Sequence, residues 1–183
     1  MYPNRKSIRL PHYDYSHPGM YFVTICTHQR EPILGTIDAG YMILNAAGKF
    51  VEQTWHALPN RFPNLKTDKF TLMPNHVHAI LFLETPQSSP GGASPAPTTR
   101  TSLAAVVCAL KSQSAIGINK IRMTPNRPVW QRNYFEHIIR TPQSLDDLRR
   151  YIQANPAKWP TDEENPKPVD PPHLPRRISP LSS

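Results

Sequence analysis

An α+β fold built on an antiparallel sheet is the class this chain predicts, and three observations predict it. Short β-branched and aromatic runs alternate with stretches of helical periodicity between residues 21 and 156, the loop at 86–101 apart. Two of the strand runs are joined directly by Pro74-Asn75, a pair suited to a tight turn or bulge. A length of 183 residues suits one globular domain with some residues left over for tails.

Taken in order, Tyr21-Phe-Val-Thr-Ile-Cys-Thr27 reads as a strand because β-branched and aromatic side chains fit a pleated, half-buried surface. Asn45 to Leu58 reads as a helix, with Phe50, Val51, Trp55 and Leu58 at helical spacing and a weak Gly48 inside it. Phe70 to Met73 begins a second strand, and His76 to Leu83 follows the turn as a third. Ser102 caps a helix running to about Ile118, with Leu103, Val106, Val107, Leu110 and Ile116 as its apolar stripe. Tyr134 to Arg140 reads as a fourth strand. Ser144 then caps a third helix, with Asp147 at the capping-box position, apolar residues Leu145, Leu148 and Ile152, and Pro156 as its stop. Strand, helix, strand, strand, helix, strand is the order of a split β-α-β unit. That predicts a ferredoxin-like sheet with helices on one face, and the third helix is an addition to it.

Composition bounds the rest. Formal net charge is +8 and the sequence pI is about 9.7. A basic surface with interleaved aromatics favours a polyanionic partner, most often nucleic acid. Proline is abundant, at 22 residues, and unevenly placed. Residues 86–101 read as a flexible Pro/Ser-rich loop inside a single domain spanning 1–158, and 159–183 as a Pro-rich, disordered tail. No apolar stretch reaches transmembrane length and no signal peptide is visible, so a cytoplasmic location is expected. Cys26 and Cys108 lie in apolar segments and read as small core residues.

The segment Met73-Pro-Asn-His-Val-His-Ala-Ile-Leu-Phe-Leu83 carries the chemistry. Residues i and i+2 of a strand share a face, so His76 and His78 project the same way. Val77, Ala79, Leu81 and Leu83 form the other, apolar face. Burying two imidazoles costs free energy unless something satisfies them. Two neutral imidazoles side by side are half of a transition-metal site. The bland alternative is a chance His-x-His in a chain with eight histidines. On the third helix, Tyr151 and Asn155 are four apart and so share a face. They read either as an amphipathic edge of the apolar stripe or as a covalent nucleophile beside a third metal ligand.

Met73-Pro-Asn-His-Val-His78 resembles the metal-binding motif of the HUH endonucleases, two histidines around one hydrophobic residue. Arg5 to Tyr15, Gly19 to Thr27, Val129-Trp-Gln-Arg-Asn-Tyr-Phe-Glu-His-Ile-Ile-Arg140 and Tyr151-Ile-Gln-Ala-Asn-Pro156 resemble one branch of that superfamily, the REP-associated tyrosine transposases. The resemblance covers residues 3 to 160 apart from the Pro/Ser-rich loop. It implies the HUH endonuclease fold, with the third helix as a catalytic helix. It also implies a single-strand DNA transesterase acting on hairpin or REP-type repeats through a 5′-phosphotyrosine, as a monomer or homodimer. Tyr151 maps onto the nucleophile, His76 and His78 onto the histidine pair, and Asn155 onto the residue that assists the metal. Asn stands at that position in the REP-associated branch, where insertion-sequence relatives typically have Gln. Imidazole and oxygen ligands suit Mn²⁺ or, with waters, Mg²⁺.

Single-stranded DNA would be held by cations and stacking aromatics, and the candidates are Lys111, Arg132 and Arg140 with Trp130 and Tyr134. Trp130 equally suits the core. Tyr134 is a rival nucleophile, and a strand tyrosine between Asn133 and Phe135 better suits packing or stacking. Glu136 and His137 are further candidates for the metal site, with His137 read as structural or as supporting a ligand. Two other classes stand against the transesterase: a catalytically silent nucleic-acid-binding protein that keeps the fold, and a metal hydrolase of small phosphoesters. The complete set His76, His78, Tyr151 and Asn155 weighs against the first, and the basic charge against the second.

Overall fold

A computed structural model describes residues 17–85 and 101–166. Residues 86–100, which hold nearly all of the expected Pro/Ser-rich loop, lie outside the described residues, as do 1–16 and 167–183. Strand β1 (Gly19–Cys26) is followed by a hairpin of β2 (Gly35–Asp38) and β3 (Tyr41–Leu44), then helix α1 (Ala46–Arg61). Strands β4 (Leu65–Met73) and β5 (His76–Leu83), helix α2 (Leu103–Arg122), strand β6 (Phe135–Ile139) and helix α3 (Pro142–Lys158) complete the chain order. The main sheet runs β4-β5-β1-β6, every neighbour antiparallel. With the β2–β3 hairpin set aside, this is the split β-α-β order, and the expected α+β, ferredoxin-like class is the one observed.

The two sheet faces are covered by different helices. Tyr21, Val23, Ile25, Val77, Ala79, Leu81 and Leu83 point toward α1 and α2 and share a core with Val51, Trp55, Leu58, Leu103 and Leu110. Phe22, Ile80 and Ile139 point the other way and pack against Ile152, Leu145 and Leu148 of α3. Each fully buried aliphatic on that second face contributes about 1.5–3 kcal/mol. Few such residues lie there, so α3 needs a tether as well. Arg149 supplies one, donating from Nε to Asp68 Oδ2 at 2.8 Å where β4 carries a register shift between Thr67 and Phe70.

Several elements depart from the sequence expectation. The β2–β3 hairpin was not expected, because its turn is Ala39-Gly40, both at positive φ (47° and 81°). Such turns usually announce themselves with Asn or Asp before Gly. Helix α3 is capped by Thr141, whose side chain accepts from Ser144 N, not by Ser144, and Pro142 opens it. A proline in the first turn forfeits no helical hydrogen bond. Pro156 does not end the helix either. It sits in the last turn, where little of the helix remains downstream to be broken, and α3 continues to Lys158. Residues 159–166 are not tail: Trp159–Thr161 form a 3-10 turn and Glu164 is buried. Cys108 and Ile116 lie on the solvent side of α2, so only Cys26 is a core cysteine.

Gly48 shows why a poor helix former stands inside α1. A Cβ there would lie 2.1 Å from the Leu34 carbonyl oxygen. Gly48→Ala is therefore expected to destabilise the fold by about 1–3 kcal/mol through overpacking, against the gain of about 1 kcal/mol that helix propensity alone would give. Urea unfolding of the two proteins decides the sign.

Candidate active site

The site lies on the α3 face of the sheet. Cross-strand register places Thr24 opposite His78 and Cys26 opposite His76. Thr27 N donates to Asn75 O at 2.8 Å and Leu34 N to Pro74 O at 3.0 Å, so neighbouring loops clamp the β4–β5 turn from outside. His76 is fully buried and His78 is 3% exposed. Their Nε2 atoms lie 3.0 Å apart. His78 sits between two rings, stacked on Phe22 with centroids 5.4 Å apart and met edge-on by Tyr151 at 5.2 Å. Trp159 lies 6.2 Å from the His76 ring.

Helix α3 delivers the other two groups. Tyr151 Oη is 3.4 Å from His78 Nε2, a loose contact, and Tyr151 is 40% exposed. One turn later Asn155 is 1% exposed, and its Oδ1 has no hydrogen-bond partner among the described residues. Thr24, His78, Tyr151 and Asn155 line one open cleft of about 470 Å³. Lys158 and the acidic run Asp162-Glu163-Glu164 line it too. The helix spacing and the histidine pair thus meet in space, although nothing in the sequence states that α3 crosses β5.

Electrostatics follow from burial. Burial holds the His76 pKa well below its usual value, with the neighbouring His78 and Arg30 adding to the effect. Burial alone brings His78 down to about 4. Both rings are therefore neutral near neutral pH, the protonation state that ligates a metal. Burial and then Asp162 raise the Tyr151 phenol above its usual value, while an Asn155 side-chain hydrogen bond opposes them. The Tyr151 phenol thus gives up its proton less readily unless positive charge is brought beside it.

The histidines carry a consequence for stability. Unfolded, an imidazole titrates near 6.5, so between 6.5 and 4 the unfolded chain binds a proton that the folded His78 refuses. The stability is complete above the unfolded value and falls as the pH drops through that window, by roughly 3 kcal/mol from His78 alone. Urea unfolding of the metal-free protein across that window should show this slope, and the slope should shrink in His78→Gln.

No group of three or more His, Cys, Asp or Glu side chains is arranged to hold a metal among the described residues. The candidate donors are two imidazole Nε2 atoms 3.0 Å apart and the Asn155 amide oxygen, whose residue shares the cleft with His78. An orphaned buried carbonyl oxygen costs about 1–3 kcal/mol, and a bound cation would satisfy it. The residues present therefore fit a divalent metal.

Not every expected residue joins the site. Trp130 is buried in the main core and its Nε1 donates to Ser114 Oγ at 2.9 Å, so it offers no stacking face and the expected platform role is corrected. Lys111 Nζ donates to the carbonyls of Gln131 and Arg132 at 2.6 and 2.9 Å, which makes it a brace for that loop, not an open DNA contact. Tyr134 packs against the main core, on the face away from the histidines. Arg132, Arg140 and His137 are exposed, while Glu136 is buried on β6. Sequence reading missed Thr24, Asn75 and Arg30. Asn75 was signalled by adjacency to His76, while Thr24 is found only once the strand register is known.

No protein-family model matches the chain. In fold it is similar to a solved REP-associated tyrosine transposase bound to a REP hairpin, at a TM-score of 0.55 and 18% identity over 84% of this chain and 74% of that one. This likeness defines the architectural class: an antiparallel four-stranded sheet with helices and a C-terminal helix. In sequence the chain is 36% identical over 168 residues to an uncharacterized protein of Haemophilus influenzae (strain ATCC 51907 / DSM 11121 / KW20 / Rd), covering 87% of this chain and 92% of that protein. The chain belongs to the family of that Haemophilus influenzae protein. Among the described residues no helix is long and apolar enough to cross a membrane.

Proposed function

We propose that this protein is a REP-associated tyrosine transposase-like enzyme: a divalent-metal-dependent single-strand DNA transesterase acting on hairpin or REP-type repeats. The observation that carries the reading is that Tyr151, His78 and Asn155 line one cleft, with Tyr151 Oη 3.4 Å and His76 Nε2 3.0 Å from His78 Nε2. The fold shared with a transposase bound to a REP hairpin supports the substrate class.

His76, His78 and Asn155 would hold Mg²⁺ or Mn²⁺, which supplies charge neutralisation at a non-bridging phosphate oxygen. The chain's own residues do the rest. Phe22 and Thr24 fix the His78 ring. The α3 packing presents Tyr151 at the cleft. Tyr151 Oη attacks the scissile phosphorus as its proton leaves to water, a 5′-phosphotyrosine forms, and the 3′ oxygen departs as a hydroxyl. One phosphoester replaces another, so the reverse reaction rejoins strands without a nucleotide cofactor. Net charge of +8 favours the polyanionic strand, and exposed Arg132 and Arg140 are its proposed contacts.

A labelled single-stranded hairpin and its full duplex, each incubated with Mn²⁺, Mg²⁺ or EDTA, test this reading on a denaturing gel. Cleavage of the single strand alone, with metal alone, is expected. Binding without cleavage in every metal would leave a silent DNA-binding protein, and cleavage without a protein-linked product would leave a hydrolase.

A further inference from the structure

Asn75 is fully buried in the β4–β5 turn. Its Nδ2 donates to Arg30 O at 3.0 Å and to Glu164 O at 2.6 Å. Both partners are carbonyls that only accept, so nitrogen and oxygen of this amide are not interchangeable. Oδ1 therefore faces His76 Nδ1 at 2.8 Å. An amide oxygen only accepts, so His76 Nδ1 carries the hydrogen. A neutral imidazole has a single N–H, which leaves His76 Nε2 bare and facing His78.

We infer that Asn75 is a positioning residue that locks His76 as its Nδ1-protonated tautomer, and that Thr24 is an adjustable counterpart letting His78 change tautomer when a cation binds. With His76 Nε2 bare, the 3.0 Å contact between the two Nε2 atoms needs its hydrogen on His78 Nε2. His78 Nδ1 then accepts from the Thr24 hydroxyl at 2.8 Å. If both imidazoles held a cation through Nε2, the His78 proton would have to lie on Nδ1. It reaches Nδ1 by exchange with water, with no net uptake or release. The Thr24 hydroxyl rotates from donor to acceptor, which Asn75 Oδ1 could never do. One ligand is thus preset and the other adapts. The purpose of the arrangement rests on the proposed metal site, whereas the His76 tautomer does not.

Imidazole nitrogen NMR on the metal-free protein near neutral pH reads both tautomers directly. His76 is expected with Nδ1–H and His78 with Nε2–H. Saturation with Zn²⁺, as a diamagnetic probe, is expected to move the His78 hydrogen to Nδ1. A His76 seen with Nε2–H, or a His78 unchanged by Zn²⁺, overturns the inference. Mn²⁺ affinity by electron paramagnetic resonance supplies the second readout. Asn75→Ala and Thr24→Val are each expected to weaken it by about 10- to 100-fold. Asn75→Asp is no control, because it sets a carboxylate oxygen against the Arg30 and Glu164 carbonyls; the wild-type imidazole NMR answers for any folding defect in Asn75→Ala. No loss in Asn75→Ala, or no loss in Thr24→Val, overturns the positioning roles. A wild type with the expected metal-free tautomers that takes up no Mn²⁺ would instead bring down the proposed metal site and leave the His76 assignment standing.

Discussion

Tyr151→Phe is expected to abolish strand cleavage while leaving hairpin binding and the fold in place. The substitution removes one oxygen from a side chain that is 40% exposed and whose ring keeps its edge-on contacts with His78 and Phe22. Its cost to stability should stay within about 0.5 kcal/mol. Loss of the proposed covalent nucleophile leaves only what the rest of the site achieves, so the single-turnover rate should fall on the order of 10⁴-fold or more. The pH profile of the wild type adds a second signature. Burial and the acidic run raise the Tyr151 phenol, so the rate should climb with pH above neutrality. A Tyr151→Phe rate within tenfold of wild type, roughly 1.4 kcal/mol in barrier, would move the chemistry to another group.

His78→Ala is expected to produce the other large effect. It removes one of the three proposed metal donors, and Mn²⁺ affinity should drop by about 100-fold or more, at or beyond the upper end of losses from a supporting residue. It also empties the space between Phe22 and Tyr151, so the fold should lose stability as a buried large-to-small change does. Asn155→Leu separates the two consequences. Metal affinity should again fall, yet the metal-free protein should lose less stability than His78→Ala does, because the change removes a carbonyl oxygen buried without a partner along with the Asn155 hydrogen bond to Tyr151. Equilibrium unfolding and metal titration on the same three proteins check both halves. An Asn155→Leu protein as destabilised as His78→Ala would mean that the amide oxygen is already satisfied in the fold.

Much of this arrangement is legible in the residues themselves. Period-two alternation from His76 to Leu83 assigns both faces of β5, and the i, i+4 spacing alone puts Tyr151 and Asn155 on one face of α3. The β-strand and helix order carries the sheet topology, since few split β-α-β connections are possible. What stays hidden depends on register and tertiary contact. Thr24 supports His78 only because β1 pairs with β5 in one particular register. The β2–β3 hairpin is masked by an alanine at positive φ. Trp130 and Lys111 look like DNA contacts in a basic chain, and only the packing of α2 against the 129–132 segment shows one buried and the other committed to backbone carbonyls. Residues 159–166 read as tail because prolines and acids dominate them, yet Asn75 binds the Glu164 carbonyl.

The most direct test is to trap the reaction of the wild type with Mn²⁺ and a labelled single-stranded hairpin, digest the protein, and locate the nucleotide by mass spectrometry. A 5′-phosphonucleotide adduct on the peptide containing Tyr151 is the expected result. An adduct on Tyr134, or a cut strand with no adduct on any tyrosine, would contradict the account.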